Sequence, residues 1–181
     1  MALDPMGAAL SSGEALASET LRRWYEAWNA HDVESISALM TDDVRYEDPS
    51  APAEVLNGRA AVEEYVRRAF AGIPDLRLDK LEEWVTPGGA VISSYFRFSG
   101  TFRAPLTAPA LPPLAPTGGP LEMFGMDRSE IRDGRLARHQ IFWDMVELGR
   151  QLGAYPARGS RAEKLARRLQ HITARGVRRA R

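Results

Sequence analysis

The chain has 181 residues, enough for one domain with a real core and a short appendage, and it contains no cysteine. Disulfides, thiolate metal sites and a cysteine nucleophile are therefore excluded. Formal charge is zero overall but unevenly placed: residues 158–181 hold nine basic side chains against Glu163 alone, a net +8, so residues 1–157 carry −8.

Residues 1–13 are small, polar and glycine-bearing and are expected to be disordered. They have neither the basic start nor the apolar core of a secretory leader, and no run in the chain approaches a membrane span, so a soluble, cytoplasmic protein is expected. From Glu14, Ala17, Leu21, Trp24 and Trp28 recur at helical spacing and predict a helix over 14–30. Asp32 caps a second helix over 32–40, with Val33, Ile36 and Met40 inward. Val44, Tyr46 and Asp48 then alternate as a strand that Pro49 ends. A third helix over 59–71 follows Gly58, with Val62, Tyr65, Val66, Ala69 and Phe70 on one stripe.

The rest is strand-rich, with segments near 76–86, 89–103, 119–132 and 135–144. The turn signals Pro87-Gly88-Gly89 and Asp133-Gly134 between them imply hairpins and a curved antiparallel sheet. Between Ala104 and Pro120 the prolines lack a ladder donor, so this stretch is no central strand. It is a linker or a lid at a pocket rim, and Leu106, Leu111 and Leu114 favour the lid. After Ile141, Phe142 and Trp143 the pattern switches to helical spacing at Met145, Val146 and Leu148. Asp144 stands at that junction, either entering the pocket or capping the helix that follows. A last helix within 160–176 carries the basic residues and a narrow apolar stripe, Leu165, Leu169 and Ile172. No nucleic-acid motif accompanies the charge, so the tail is taken as a solvated appendage rather than a nucleic-acid arm.

Two motifs carry a resemblance. The first is LRRWYEAWNAHDVESISALMTDDVRYEDP, Leu21 to Pro49; the second pairs PTGGPLEMFGMDRSEIRDGRL with WDMVELGRQLGAYP. Together with the element order they resemble the superfamily of nuclear transport factor 2, the ketosteroid isomerases, scytalone dehydratase and the SnoaL-like polyketide cyclases, the last most specifically. The resemblance implies an α+β barrel: a cone-shaped, curved antiparallel sheet with three N-terminal helices on its concave side, spanning 14–157, with the basic helical tail of 158–181 beyond it. It further implies that Asp48 falls where the isomerases keep their proton-shuttling carboxylate, and Asp127 near their hydrogen-bonding aspartic acid. Asp144 falls where SnoaL-like cyclases keep a general acid/base. Trp24 stands where the isomerases have a tyrosine, which counts against an efficient ketosteroid isomerase. Gln140 and Ile141 replace the Arg-Asp pair of limonene-epoxide-type hydrolases.

The candidate catalytic residues are therefore Asp144, Asp127 and Asp48, with Asp127 or Gln140 holding a developing oxyanion. Trp24, Trp28, Tyr46, Phe70, His139, Gln140 and Trp143 are the candidate cavity liners. On its strand Asp127 shares one face with Ser129 while Arg128 and Glu130 share the other, and sequence parity does not say which face is inward. His139 is either a pocket group or an outward neighbour of the sheet. No metal or organic cofactor is called for. The expected activity is acid/base chemistry on a hydrophobic oxygenated polyketide- or steroid-like molecule. The alternatives are a double-bond isomerase and a non-catalytic small-ligand carrier, and a homodimer through the outer sheet faces is implied by the resemblance.

Overall fold

The computed structural model describes residues 10–108 and 111–179, with side-chain surroundings for 10–105 and 115–171. Most of the expected disordered N-terminus, residues 1–9, lies outside the described residues, but Ser12 and Gly13 already belong to the first helix. Helix α1 spans Ser12–Asn29 because Ser11 and Glu14 form a reciprocal capping box. Ala17, Leu21, Trp24, Tyr25 and Trp28 are its buried face. Helix α2, Val33–Ala38, is capped by Asp32, whose side chain accepts the Ser35 N–H.

Strand β1 (Met40–Glu47), a short β2 (Leu56–Asn57) and helix α3 (Arg59–Gly72) follow. Then come β3 (Arg77–Val85), β4 (Val91–Thr101), β5 (Leu106–Ala108), β6 (Leu111–Leu114), β7 (Pro120–Arg132) and β8 (Arg135–Trp143). Helix α4 covers Met145–Gln151 and helix α5 covers Arg161–Arg179.

Six strands form one curved, open sheet in the order β2-β1-β8-β7-β4-β3. The meander from β3 to β8 is antiparallel as expected, but β1 pairs with β8 in parallel. The reason is topological: β1 precedes α3 and the whole meander, so the last strand returns beside it in the same direction. The β7–β8 hairpin turns on Asp133 and Gly134, with φ of 52° and 69°, the two successive positive values of a tight turn matched to strand twist. The described part of the proline-rich stretch stays outside the main sheet, and among the described residues β5 and β6 pair with each other as a separate two-stranded sheet. The side chains of Leu106, Leu111 and Leu114 lie outside the described set, whereas Ala104 and Pro105 reach the cavity wall.

Helices α1 to α3 cover the concave face, and the core lies between them and the inward residues of β1, β4, β7 and β8. Ser160 immediately precedes helix α5 and its hydroxyl accepts the Glu163 N–H, and the helix is tied to α4 through Arg150 and Glu163 at 3.6 Å. Leu165 and Leu169, two residues of its apolar stripe, are more than half exposed. Among the described residues no helix is long and apolar enough to cross a membrane.

Candidate active site

A cavity of about 250 Å³ opens between α1, α3 and the concave sheet face, near the lower end of small-molecule pockets. Its wall is mostly apolar, with Trp24, Trp28, Phe96, Phe98, Met123 and Leu152 prominent. Two carboxylates interrupt it.

Asp48 sits just past β1, where Pro49 ends the strand, and is 4% exposed. Its Oδ1 accepts the Ser50 N–H at 2.8 Å, the Ser50 hydroxyl at 2.7 Å and the Trp143 indole N–H at 3.2 Å. Its Oδ2 accepts the Tyr65 hydroxyl at 2.6 Å. Asp48 thus makes an Asx-type turn and lines the cavity at once.

Asp127 faces inward with Ser129, while Arg128 and Glu130 point outward, which settles the parity of β7. Pairing with β4 places Ser94 opposite it. Asp127 Oδ1 accepts the Ser94 N–H at 2.9 Å, and Oδ2 accepts the Ser94 hydroxyl at 2.7 Å and the Tyr25 hydroxyl at 3.2 Å. Neither aspartate meets a cation among the described residues. Arg68, at the cavity wall, is engaged by Glu64 at 2.8 Å. Both carboxylates are held by neutral donors alone, which is how a buried charge avoids the full penalty of desolvation.

The surrounding titratable groups are kept neutral. Burial raises the phenols of Tyr25, Tyr46 and Tyr65, and nearby groups, Asp127 for Tyr25 and Asp48 for Tyr65, push the same way. Burial lowers the His139 imidazole, outweighing the pull of Asp127 and Asp48 towards the charged form. His139 Nδ1 lies 2.8 Å from the Ser129 hydroxyl, and its ring packs on Trp24 and Tyr46 at centroid distances of 5.1 and 5.2 Å.

Of the residues expected from sequence, Trp24, Trp28, Tyr46, Asp48, Asp127, His139 and Trp143 line this cavity together. Phe70 does not; it stands behind the wall, stacked on His31 at 4.2 Å and edge-on to Trp28 at 5.3 Å. Gln140 faces outward because it alternates with His139 along β8, and its amide donates to Glu47 at 2.7 Å. Asp144 also stays out of the cavity, contrary to the pocket expectation. It caps α4, accepting the Val146 and Glu147 N–H groups at 3.1 and 2.9 Å, with its side chain 57% exposed. The strand ends one residue earlier, so the free amides of α4 claim this carboxylate.

Tyr25, Tyr65, Ser50, Ser94 and Ser129 were missed. Ser94 interrupts the otherwise apolar inward positions of β4, and Ser129 follows Asp127 on the inward face of β7, a signal only once parity is known. Tyr25 follows Trp24 directly, so the phenol stands one residue beyond the position that the isomerase resemblance marks.

The SnoaL-like domain family matches residues 21–139, well over half of the chain. The chain belongs to the SnoaL-like domain family. The matched region of this SnoaL-like domain contains both buried aspartates and ends before Asp144 and α5. No curated protein matches the chain. Among solved structures, a candidate polyketide cyclase from Xanthomonas campestris pv. campestris is 22% identical with a TM-score of 0.67, covering 78% of this chain and 99% of that one. A candidate SnoaL-like polyketide cyclase from Jannaschia sp. CCS1 is 19% identical with a TM-score of 0.71, covering 83% and 100%. IdmH, a candidate polyketide cyclase from Streptomyces antibioticus, is 28% identical with a TM-score of 0.59, covering 76% and 98%. The first two likenesses establish the SnoaL-like fold and nothing finer. Among the described residues of this SnoaL-like domain no cluster of three or more metal-ligating side chains occurs.

Proposed function

We propose that this SnoaL-like domain is a cofactor-independent acid/base enzyme for a hydrophobic, oxygenated molecule of the polyketide kind. The reaction class is aldol ring closure or proton transfer between carbons. One observation carries the reading: Asp48 and Asp127 are buried in a single apolar cavity and, among the described residues, are stabilised only by neutral donors. In this mechanism Asp48 takes a proton from a carbon beside a carbonyl, and the C–H electron pair moves into the enolate. For ring closure the enolate carbon attacks a second carbonyl, and the carboxylic acid returns its proton to the alkoxide formed. Asp127 is the second acid/base group. Assistance of this kind is worth about 10²–10⁴-fold, enough for an already acidic substrate.

The test is hydrogen–deuterium exchange at the α-carbon of β-tetralone, a bicyclic ketone, followed by NMR. The protein should accelerate exchange, and Asp48→Asn should remove most of that acceleration. Binding without accelerated exchange would make the domain a carrier rather than an enzyme.

Pairing of two chains through the outer sheet face belongs to the same proposal. Trp84, Phe124, Met126 and Phe142 are 45–57% exposed there, on the face opposite Asp127. An apolar surface of this kind is a common mark of an interaction site.

A further inference from the structure

The cavity holds two classes of donor. The Tyr65 and Ser50 hydroxyls and the Trp143 indole are committed to Asp48, and the Tyr25 and Ser94 hydroxyls to the Asp127–Ser94 cluster. The Tyr46 hydroxyl and His139 Nε2 have no partner among the described residues. Nor are they sealed: among the described residues the buried side-chain atoms without a partner are Ser18 Oγ, Trp28 Nε1, Arg59 Nε and Arg150 Nε. Tyr46 and His139 both line the cavity while being 1% and 2% exposed, so their free polar atoms open onto it. They are direct register partners on the parallel strands β1 and β8 and therefore project from the same face.

Proton counting assigns the histidine tautomer. Ser129 is fully buried, and its hydroxyl has one partner among the described residues, His139 Nδ1. If Nδ1 carried the proton, the serine hydrogen would be left without an acceptor in the interior, a loss comparable to that of any buried orphan donor. Ser129 therefore donates to Nδ1, and the neutral ring carries its hydrogen on Nε2. Burial, which holds the imidazole below its ordinary value, favours the same neutral form.

Resting on the small-molecule reading above, we infer that Tyr46 Oη–H and His139 Nε2–H together form the site for the ligand's carbonyl or enolate oxygen, with Ser129 as the positioning residue for the His139 tautomer. His139 is then a neutral hydrogen-bond donor and not a base. Asp48 and Asp127 line the same cavity as Tyr46 and His139, so a carbon beside the anchored carbonyl has a carboxylate on hand. Preorganised donors of this sort stabilise charge as it develops on oxygen.

The experiment compares β-tetralone with its methylene analogue, in which C=CH₂ replaces C=O at nearly the same shape. The ketone should bind about tenfold more tightly, and its C=O stretch should move to lower frequency on binding. Tyr46→Phe and His139→Leu should each remove about 3- to 10-fold of ketone affinity and part of the frequency shift. They should leave binding of the methylene analogue intact, which also shows that the cavity still folds. His139→Gln, which keeps an N–H near the Nε2 position, should restore most of the ketone preference. Ser129→Ala should change the ¹⁵N shifts of His139 from the Nε2–H pattern to a tautomer mixture.

Equal affinity for the two compounds, or an unmoved C=O stretch in Tyr46→Phe and His139→Leu, would overturn the oxygen site. So would loss of the preference in Trp24→Phe alone. Failure of both compounds to bind a folded protein would remove the small-molecule reading and this inference with it. Ketone preference without α-carbon exchange would refute the enzymatic proposal and leave the oxygen site standing.

Discussion

The Tyr65 hydroxyl, on α3, donates to Asp48 Oδ2 at 2.6 Å and so joins a helix to the end of β1 inside the cavity. Tyr65→Phe keeps the ring and deletes one hydrogen bond to a buried carboxylate. It should cost about 2 kcal/mol in urea unfolding, the usual scale for bonds to charged groups. A change within error would show that Ser50 and Trp143 suffice to hold Asp48.

The buried phenols set an alkaline limit. Burial first, then neighbouring groups, raises Tyr25, Tyr46 and Tyr65 above the usual value of about 10. Their folded pKa values exceed the unfolded ones, so the stability they contribute is complete below about pH 10 and is lost as pH rises beyond it. Tyrosinate absorbance should remain well short of that of all five tyrosines until unfolding releases the remainder in one step. Smooth ionisation of all five in the folded protein would contradict this.

At acid pH the sign reverses for His139, whose folded pKa is lowered by burial. The unfolded chain binds the proton more readily, so this contribution is present above about pH 6.5 and is lost as pH falls through the folded value. An NMR titration of the His139 ring should give a midpoint below the ordinary histidine value, and a midpoint at or above it would contradict this.

Asp144 is a cap by geometry. Asp144→Asn retains an acceptor for the α4 amides and should be nearly silent in stability and in β-tetralone exchange. Asp144→Ala should cost about 1 kcal/mol of stability and leave exchange unchanged. A large loss of exchange in Asp144→Asn would return this residue to the chemistry.

Gly125 lies in β7 between two cavity aromatics. A Cβ there would stand 2.9 Å from Phe96 Cζ and 3.0 Å from Trp143 Cε3. Gly125→Ala should therefore destabilise by about 1–3 kcal/mol and displace Trp143, weakening ketone binding as well. Unchanged stability with unchanged binding would mean that both rings yield without cost.

If the outer face pairs two chains, Phe142→Glu should shift light scattering towards monomer mass without unfolding the domain. Monomer mass for the unaltered protein over a wide concentration range would end the pairing proposal.

Local chemistry alone specified much of this molecule. The helical stripes, the Asp32 cap, the Asp133-Gly134 turn and the exclusion of the proline-rich stretch from the main sheet all depend on contacts within a few residues. The two motifs, Leu21 to Pro49 and the later strand-hairpin stretch with its WDMVELGRQLGAYP partner, together with the element order pointed to the family, and Asp48, Asp127 and Tyr46 were legible as cavity candidates. Tertiary structure decided what those residues do. The side of Asp127 follows from the register of β7 against β4, 33 residues away, which also brings Ser94 to it. The fate of Asp144 turned on where β8 stops, and that is one residue of hydrogen bonding. Tyr46 and His139 become neighbours only because β1 and β8 pair in parallel across the whole meander. Sequence periodicity reports which residues share a face of one element, whereas a site assembled from β1, β4, β7 and α1 exists only once distant strands have chosen their register.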